Sequence, residues 1–171
     1  MRDPFARLVS AYKSKLRPDT IGFTEFYGNI SKRISEQYRH MRRKNSTEKA
    51  KSDDGLATFE DFINFLLHSN ESAVHDYHWA TYKEICHPCW FKYNFIAKFE
   101  TLKEDMLYLE HVLNLTETHR QIFFKQSGFN THSDVVREHF AKVPCDISRK
   151  LYEKYKEDFE VFGYSRPEWI C

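Results

Sequence analysis

Apolar side chains recur at helical spacing near the start of the chain. The stripe lies between Asp3-Pro4 and Arg17-Pro18, and its members are Phe5, Leu8, Val9 and Tyr12. Aspartate is a favourable N-cap, and proline is tolerated at the first helical position because the N–H that it lacks would be unpaired there. A residue before proline disfavours the helical conformation, so we expect this helix to end at Arg17-Pro18.

The same spacing predicts three more helices. One runs from Thr58 to Leu67 with the threonine as its cap, and another runs from Thr101 to Leu115 with acidic residues in its first turns. The last runs from Asp146, as the cap, to Phe162, and Gly163 is its predicted stop.

The segments between these helices are less regular. Residues 31–53 are rich in lysine and arginine, and their poor periodicity favours a solvated loop or a frayed helix. The sequence of residues 68–94 predicts a long loop with short helical turns. The aromatic and branched run from Tyr93 to Phe99 is the best strand candidate. One strand among helices indicates a single α/β domain over residues 1–171, mostly helical, with few parallel strands in this chain.

Composition excludes several classes of protein. A chain of 171 residues with 41% hydrophobic and 30% charged residues suits one globular domain and is not typical of a disordered or fibrous protein. The net charge is +1, so we expect no nucleic-acid partner. No apolar run is long enough to span a membrane, and the first residues do not resemble a signal peptide, which taken alone suggests a cytosolic protein.

Four potential N-glycosylation sequons favour the secretory pathway instead. They are Asn29-Ile30-Ser31, Asn45-Ser46-Thr47, Asn70-Glu71-Ser72 and Asn114-Leu115-Thr116. Each match alone is weak, because a three-residue pattern arises by chance.

The cysteines are even in number: Cys86, Cys89, Cys145 and Cys171. They permit two disulfides in three pairings, or four buried thiols in a reducing compartment. Cys86 and Cys89 lie close in sequence to His78 and His87, but no second pair has zinc-site spacing. With the sequons indicating an oxidising lumen, we expect disulfides and no metal.

The opening helix carries the clearest chemistry. A helix N-terminus presents unpaired N–H groups to an anion, Arg2 lies just before it, and Ser10 follows about two turns later at 3.6 residues per turn. Arg7 and Lys15 could add local positive charge. The alternative is an ordinary capped amphipathic helix with a solvated basic face.

The segment RDPFARLVSAYKSK resembles the 3′-phosphate-binding motif of sulfotransferases that use 3′-phosphoadenosine 5′-phosphosulfate (PAPS). It is most similar to the Golgi carbohydrate sulfotransferases of the HNK-1, chondroitin and dermatan 4-O type. The matching residues are Arg2, Pro4, Phe5, Arg7, Leu8, Ser10, Ala11, Tyr12 and Lys15. The resemblance continues through TFEDFINFLL, HWATYKEICHPCWFKYNFIAKFETLKEDM and LYEKYKEDFEVFGY, so it covers most of the chain.

The resemblance implies an incomplete P-loop-like sulfotransferase fold and transfer of a sulfuryl group from PAPS to a glycan hydroxyl. It implies that Arg2 and Ser10 bind the 3′-phosphate, and that Asp3, Pro4 and Phe5 hold the shape of the loop. Arg7 is included in the predicted donor-binding set. PAPS is then a co-substrate, and no metal is required.

The family also has an upstream loop for the 5′-phosphosulfate and an N-terminal membrane anchor, and neither is expected in this chain. We therefore expect the C-terminal part of a sulfotransferase domain, with turnover by this chain alone in question. The resemblance places the protein on the lumenal side of the Golgi membrane, attached only through that missing anchor. Its expected partner is an acidic glycan or glycosaminoglycan, which the basic residues 32–51 could steer unless they are merely solvated.

Other residues remain alternatives. His78 is a weak candidate for the catalytic base, and a structural histidine is the competing interpretation. Lys98, Glu100 and Thr101 end the predicted strand, where ligands gather in open α/β sheets, although a strand-to-helix junction with Thr101 as the cap of the next helix is the preferred interpretation. Two other functions stay open: a non-catalytic remnant that binds a glycan or a partner, and a small helical module that binds anions.

Overall fold

The computed structural model describes residues 1–41, 54–114 and 133–170. Within these residues the chain forms helices and no strand. The helices are α1 (Pro4–Ala11), α2 (Glu25–Tyr38), α3 (Phe59–His68), α4 (Tyr82–Cys86), α5 (Leu102–Leu113), α6 (Ser133–Phe140) and α7 (Cys145–Val161). A π-helical turn, Tyr12–Leu16, continues α1, and short 3-10 turns lie at Arg39–Met41 and Ser72–His75. None of the described helices is long and apolar enough to cross a membrane.

Helix α1 confirms the predicted start and end of the first helix. The Asp3 side chain accepts the Ala6 N–H at 2.8 Å, and Pro4 opens the helix. The π-helical turn ends at Leu16, and Arg17 has an extended backbone with φ −120° and ψ 139°. The cap and the proline therefore set both boundaries, as the sequence predicts.

Helices α3, α5 and α7 are confirmed with small changes at their ends. Thr58 and Asp61 form a reciprocal capping box at the start of α3. The cap of α7 is Pro144 rather than the predicted Asp146, because the helix begins at Cys145, two residues earlier than a cap at Asp146 implies. Gly163 stops α7 as expected, since its φ of +63° is a left-handed conformation that glycine adopts readily.

Helix α2 corrects the prediction of a solvated loop or frayed helix over residues 31–53. Its inner face includes Ile30, Ile34 and Tyr38, and it also buries Ser31 and Ser35. Because serine is a polar residue, these two positions interrupt the apolar periodicity by which a buried helix face is recognised in a sequence. Ser31 is satisfied inside the core: its hydroxyl donates to the Leu16 carbonyl at 2.9 Å and accepts the Ala57 N–H at 3.0 Å. Residues 42–53, with the Asn45 sequon, lie outside the described residues.

The predicted strand from Tyr93 to Phe99 is wrong. The described part of the chain is mostly helical, as expected, but contains none of the expected parallel strands. Among the described residues, the backbone of the Tyr93–Phe99 segment pairs with Met1. The Met1 amino group donates to the Ala97 carbonyl at 2.5 Å, and the Phe99 N–H donates to the Met1 carbonyl at 2.6 Å. A run with high strand propensity becomes a sheet strand only when other strands pair with it along its length.

Aromatic side chains join the helices into one core. Helix α3 packs against α2 and α7, and α1 packs against α6 and α7. The Phe5 ring on α1 is fully buried, stacks on Phe140 at 4.6 Å between centroids, and meets Phe159 edge-on at 5.1 Å. This contact fixes α1 between the two C-terminal helices and thereby sets the direction in which its other face points.

Candidate functional site

Helix α1 presents one half-exposed stripe on an otherwise buried helix. Its buried residues are Pro4, Phe5, Ala6, Leu8, Val9 and Ala11. The remaining positions, Arg7 and Ser10, are three residues apart and therefore lie on the same face, with Asp3 one turn before Arg7. The stripe leads from the helix N-terminus toward the π-helical turn. It holds three of the six residues predicted to bind the donor.

Arg2 lies at the entrance to this stripe and is held from several sides. Its guanidinium lies over the Phe99 ring, 4.5 Å from the centroid. Its backbone N–H donates to the Tyr82 hydroxyl at 3.0 Å, and that hydroxyl in turn lies 3.2 Å from the Arg2 carbonyl oxygen. Burial lowers the pKa of Arg2, and the nearby Glu100 carboxylate opposes the shift. An arginine stays charged at neutral pH, so this position carries a fixed positive group.

The Asp3 side chain caps helix α1. One carboxylate oxygen caps Ala6, and its own backbone N–H donates to Glu100 Oε1 at 2.8 Å. Burial raises the pKa of Asp3, and the hydrogen bond from the Ala6 N–H works against this. These contacts fit the expected role of shaping the loop.

Glu100 accepts hydrogen bonds from two distant parts of the chain, at Asp3 and at Tyr164. Besides the Asp3 N–H, it accepts the Tyr164 hydroxyl at 3.0 Å, and burial followed by this hydrogen bond raises the pKa of Tyr164. The sequence analysis names Glu100 only among the alternative ligand-binding residues at the end of a predicted strand. The other two residues of that group hydrogen-bond Asp105: the Lys98 N–H and the Thr101 hydroxyl both donate to Asp105 Oδ2, at 2.7 and 2.9 Å.

Arg7 is directed at the segment that leads into α4. Its guanidinium donates to the Ala80 carbonyl and lies over the Tyr82 ring, 4.2 Å from the centroid. Its Nε is buried and has no hydrogen-bond partner among the described residues. Arg7 therefore fastens α1 to residues 80–82, and its predicted contact with the donor stays a prediction.

Ser10 lies one turn after Arg7 on the same stripe and is half-exposed. No other described residue hydrogen-bonds its hydroxyl, in contrast to Ser14, which donates to the Ala11 carbonyl at 3.3 Å. The hydroxyl of Ser10 is thus available to a ligand. That Arg2 and Ser10 grip one phosphate together stays a prediction.

Pro4 and Phe5 are core residues. Both are buried, and the Phe5 side chain has no solvent-accessible area through which to meet a ligand. The motif thus divides into residues that position the helix and residues that face outward.

His78 lies in a cluster with Asp76 and Tyr27. Its Nδ1 is 2.7 Å from Asp76 Oδ1 and 3.0 Å from the Tyr27 hydroxyl. The Tyr27 hydroxyl also donates to Asp76 Oδ2 at 3.1 Å. Burial and the adjacent Asp76 charge raise the pKa of Tyr27. No local sequence pattern indicates this cluster, because about fifty residues separate Tyr27 from its two partners.

The cysteines form no disulfide between two described residues. Cys86 and Cys89 are free thiols, and burial raises the pKa of Cys86. The expectation that the four cysteines form disulfides is therefore wrong for Cys86 and Cys89. Cys145 is not a free thiol, and Cys171 lies outside the described residues. Among residues 1–41, 54–114 and 133–170, no group of three potential ligands could hold a metal ion.

Comparison with known proteins assigns a family to this arrangement. A model described as the sulfotransferase family matches residues 1–165. The chain is 34% identical to carbohydrate sulfotransferase 11 of Rattus norvegicus over 177 aligned positions, which cover 99% of this chain and 47% of that protein. It is 35% identical to carbohydrate sulfotransferase 12 of Mus musculus, covering 98% of this chain and 40% of that protein.

A third relative is carbohydrate sulfotransferase 9 of Homo sapiens, which is 31% identical over 98% of this chain and 37% of its own length. The chain thus spans less than half the length of the curated relatives that it matches. No solved structure matched the chain.

Proposed function

The chain belongs to the sulfotransferase family, and we propose that it contributes to transfer of a sulfuryl group from PAPS to a hydroxyl of a glycan. The observation that carries this proposal is the start of α1. A capped helix N-terminus, the guanidinium of Arg2 and the accessible hydroxyl of Ser10 occur there within two helical turns. Each of these is a group that binds phosphate oxygens.

In this proposal the 3′-phosphate of the donor lies at the outward stripe of α1. Arg2 supplies charge and two forked N–H donors, while Ser10 supplies a neutral hydroxyl. Asp3, Pro4 and Phe5 act only by fixing the helix, and Arg7 holds residues 80–82 against it. Donors fixed before the ligand arrives lose little entropy on binding, so the stripe favours a nucleotide that carries this extra phosphate.

The proposal extends to the domain, the acceptor and the location. Residues 1–171 would form the C-terminal part of one P-loop-like sulfotransferase domain. Its acceptor would be an acidic glycan of the chondroitin, dermatan or glucuronyl-terminated kind, and its place would be the lumenal side of the Golgi membrane. Sulfuryl transfer resembles phosphoryl transfer in requiring in-line geometry and positive groups around the moving centre.

Calorimetry with adenosine 3′,5′-bisphosphate tests the donor site without turnover. We expect binding by the full chain and weaker binding of adenosine 5′-monophosphate, which lacks the 3′-phosphate. Arg2→Ala removes a charged partner and should lower the affinity for the bisphosphate by roughly tenfold to a hundredfold, which corresponds to a charge-assisted hydrogen bond. Ser10→Ala should lower that affinity by about threefold to tenfold, the range for a neutral hydrogen bond.

The matched control is Ser14→Ala, since the Ser14 hydroxyl is already bonded to the Ala11 carbonyl of its own helix. Unchanged affinity in both Arg2→Ala and Ser10→Ala would refute the proposed donor site.

The groups at the start of α1 would also serve a non-catalytic function, in which the chain binds nucleotide or glycan without transferring sulfate. Transfer of labelled sulfate from PAPS to desulfated chondroitin or dermatan separates the two functions. Nucleotide binding without label transfer would identify the non-catalytic one.

A further inference from the structure

Arg2 lies before the first residue of α1, so the hydrogen bonds of the helix do not hold it in place. Its two neighbours, Met1 and Asp3, hydrogen-bond the segment 97–100. The backbone of Arg2 itself hydrogen-bonds a different part of the chain, the Tyr82 side chain at the start of α4. The position of the Arg2 guanidinium therefore depends on contacts that are distant in sequence.

One hydroxyl group bonds both backbone polar groups of Arg2. The Tyr82 hydroxyl accepts the Arg2 N–H at 3.0 Å and donates to the Arg2 carbonyl at 3.2 Å. A phenol can do both, because it has one proton to donate and lone pairs that accept. Burial raises the pKa of Tyr82, so the hydroxyl keeps its proton at neutral pH. With its N–H and its carbonyl both held, Arg2 has little freedom to rotate about its two backbone dihedrals.

Tyr82 is a rigid support for this contact. Its side chain is buried, and the Arg7 guanidinium lies over its ring, 4.2 Å from the centroid. The Phe162 ring meets it edge-on at 5.4 Å between centroids. Its backbone N–H donates to Asp158 Oδ2 at 2.7 Å. Contacts from α1 and from the C-terminal part of the chain thus fix the ring that carries the hydroxyl.

The ring and the hydroxyl of Tyr82 make different contacts. The ring packs against Arg7 and Phe162, and a phenylalanine ring at this position would do the same. The hydroxyl contributes to neither of these contacts. Among residues that the structure describes, its hydrogen bonds go to the backbone of Arg2. The hydroxyl can therefore be removed without removing the packing.

The guanidinium of Arg2 has a support of its own. It lies over the Phe99 ring, 4.5 Å from the centroid. A guanidinium keeps its N–H donors in one planar fork, which suits the oxygens of a phosphate. A long side chain that is held at both ends before the ligand arrives loses less conformational entropy on binding than a mobile one does.

We propose that Tyr82 is a positioning residue for the donor site, and that its hydroxyl holds the backbone of Arg2 so that the guanidinium meets the 3′-phosphate of the nucleotide. The proposal rests on the donor-binding function proposed above. Tyr82 acts through Arg2 and touches no ligand itself. Its effect on binding must therefore disappear when the Arg2 side chain is absent. A tyrosine that only stabilised the fold would affect binding equally with and without that side chain.

A double-mutant cycle measures this dependence. Tyr82→Phe removes the hydroxyl and keeps the ring contacts, so we expect a folded protein. It should lower the affinity for adenosine 3′,5′-bisphosphate by about threefold to tenfold, the range for a neutral hydrogen bond, because Arg2 then adopts orientations that miss the phosphate. The same substitution made in Arg2→Ala should change that affinity by less than about twofold. Calorimetry gives the tighter affinities, and chemical-shift titration gives the weaker ones.

Tyr155→Phe is the matched control. It removes another buried tyrosine hydroxyl, which donates to the Trp79 carbonyl in the segment that leads into α4. We expect this variant to unfold at a lower urea concentration than the wild type and to bind the bisphosphate with unchanged affinity. If Tyr155→Phe lowered the affinity as much as Tyr82→Phe does, both effects would be those of a loosened fold, and the role of Tyr82 would be overturned.

The cycle also separates failure of this role from failure of the donor site. If Arg2→Ala lowers the affinity and Tyr82→Phe does not, the role of Tyr82 is overturned and the donor site stands. Equal effects of Tyr82→Phe in the wild type and in Arg2→Ala would lead to the same conclusion. Absence of bisphosphate binding by the wild type would overturn the donor site, and the role of Tyr82 with it.

Discussion

The guanidinium of Arg7 on α1 donates to the carbonyl of Ala80, which lies 73 residues further along the chain. The same guanidinium lies over the Tyr82 ring, and Tyr82 in turn hydrogen-bonds the backbone of Arg2. The outward stripe of α1 and the segment that leads into α4 are therefore one connected unit. A change in either part is expected to disturb the other.

Arg7→Lys tests this connection. Lysine keeps the charge but lacks the planar fork that can bond a carbonyl and stack on a ring at once. We expect a loss of about 1–2 kcal/mol in the free energy of unfolding, the sum of a modest hydrogen bond and a cation–π contact. Urea denaturation measures it. The control Arg33→Lys affects an exposed ion pair with Glu71 and should change stability by less than about 0.5 kcal/mol. Equal effects in both variants would contradict the assigned role.

Glu100→Gln should strengthen nucleotide binding. Glutamine keeps an oxygen that can accept the Asp3 N–H, but it removes a negative charge that now lies near Arg2. We expect a severalfold gain in affinity for adenosine 3′,5′-bisphosphate at low salt, and the gain should shrink as salt screens the charges. The control is Glu104→Gln, an exposed residue in the first turn of α5. Weaker binding by Glu100→Gln would show that the charge is needed to orient Arg2.

The contribution of Asp158 to the stability of the fold should depend on pH, and the direction of its pKa shift gives the sign. Its buried carboxylate accepts the Tyr82 N–H at 2.7 Å and the Lys83 N–H at 3.1 Å. Burial raises the pKa of Asp158 above 3.8, and these two hydrogen bonds offset only part of the shift. The folded state thus binds this proton more tightly than the unfolded state does. The contribution of Asp158 to the free energy of unfolding therefore falls as the pH rises from the unfolded-state pKa of 3.8 through the raised pKa of the folded state.

Asp158→Asn cannot titrate, so the unfolding free energy of the wild type minus that of the variant should be larger at about pH 4 than at about pH 7. Urea denaturation at the two pH values measures this difference, and titrating groups that do not interact with Asp158 cancel in the comparison. The variant should be the less stable protein at the lower pH, because an amide offers one accepting oxygen to two N–H groups. A difference that grows with pH would mean that the carboxylate is stabilised in the fold.

Phe5 should matter for stability and not for binding. Phe5→Ala removes a fully buried ring that contacts Phe140 and Phe159, so we expect a loss of about 3–5 kcal/mol. Phe5→Leu retains much of the volume and should cost less. Because the side chain is not accessible to a ligand, the folded Phe5→Leu protein should bind adenosine 3′,5′-bisphosphate like the wild type. A large change in that affinity would place Phe5 in the site after all.

Thr58→Ala should lower stability by about 1–2 kcal/mol, near the upper range for an N-cap. The Thr58 hydroxyl accepts the Asp61 N–H at 3.2 Å, and both residues are buried, so water cannot replace the lost partner. Thr58→Ser keeps the hydroxyl and should remain within about 0.5 kcal/mol of the wild type. Thermal and urea unfolding of the two variants would decide the point; equal losses would show that packing of the threonine methyl group matters more than the cap.

Local chemistry explains which helices are predictable. Asp3 and Thr58 mark the starts of α1 and α3 because capping depends on residues that are near each other in sequence. Helix α2 is not predicted because two polar residues, Ser31 and Ser35, belong to its buried face. The burial of Ser31 depends on a hydrogen-bond partner that is distant in sequence, the Leu16 carbonyl. Helix α6 lies in a part of the chain for which the sequence analysis predicts no helix.

The site is predictable only in part for the same reason. Arg2 and Ser10 stand in one short motif, and the resemblance of that motif to a known family is enough to single them out. The cluster of Tyr27, Asp76 and His78 depends on how α2 packs against a later segment, and no local pattern encodes that. The strand prediction fails because pairing is a property of neighbouring segments and not of Tyr93–Phe99 itself.

The bonds from Asp158 to α4 have a consequence for biosynthesis. Residues 82 and 83 receive their partner from the last long helix, and the Tyr155 hydroxyl bonds the Trp79 carbonyl nearby. During translation residues 1–83 emerge long before α7 has been synthesised. A nascent chain would therefore expose Phe5 and Trp79 to chaperones until α7 leaves the ribosome, and the surroundings of Arg2 would be among the last parts of the molecule to mature.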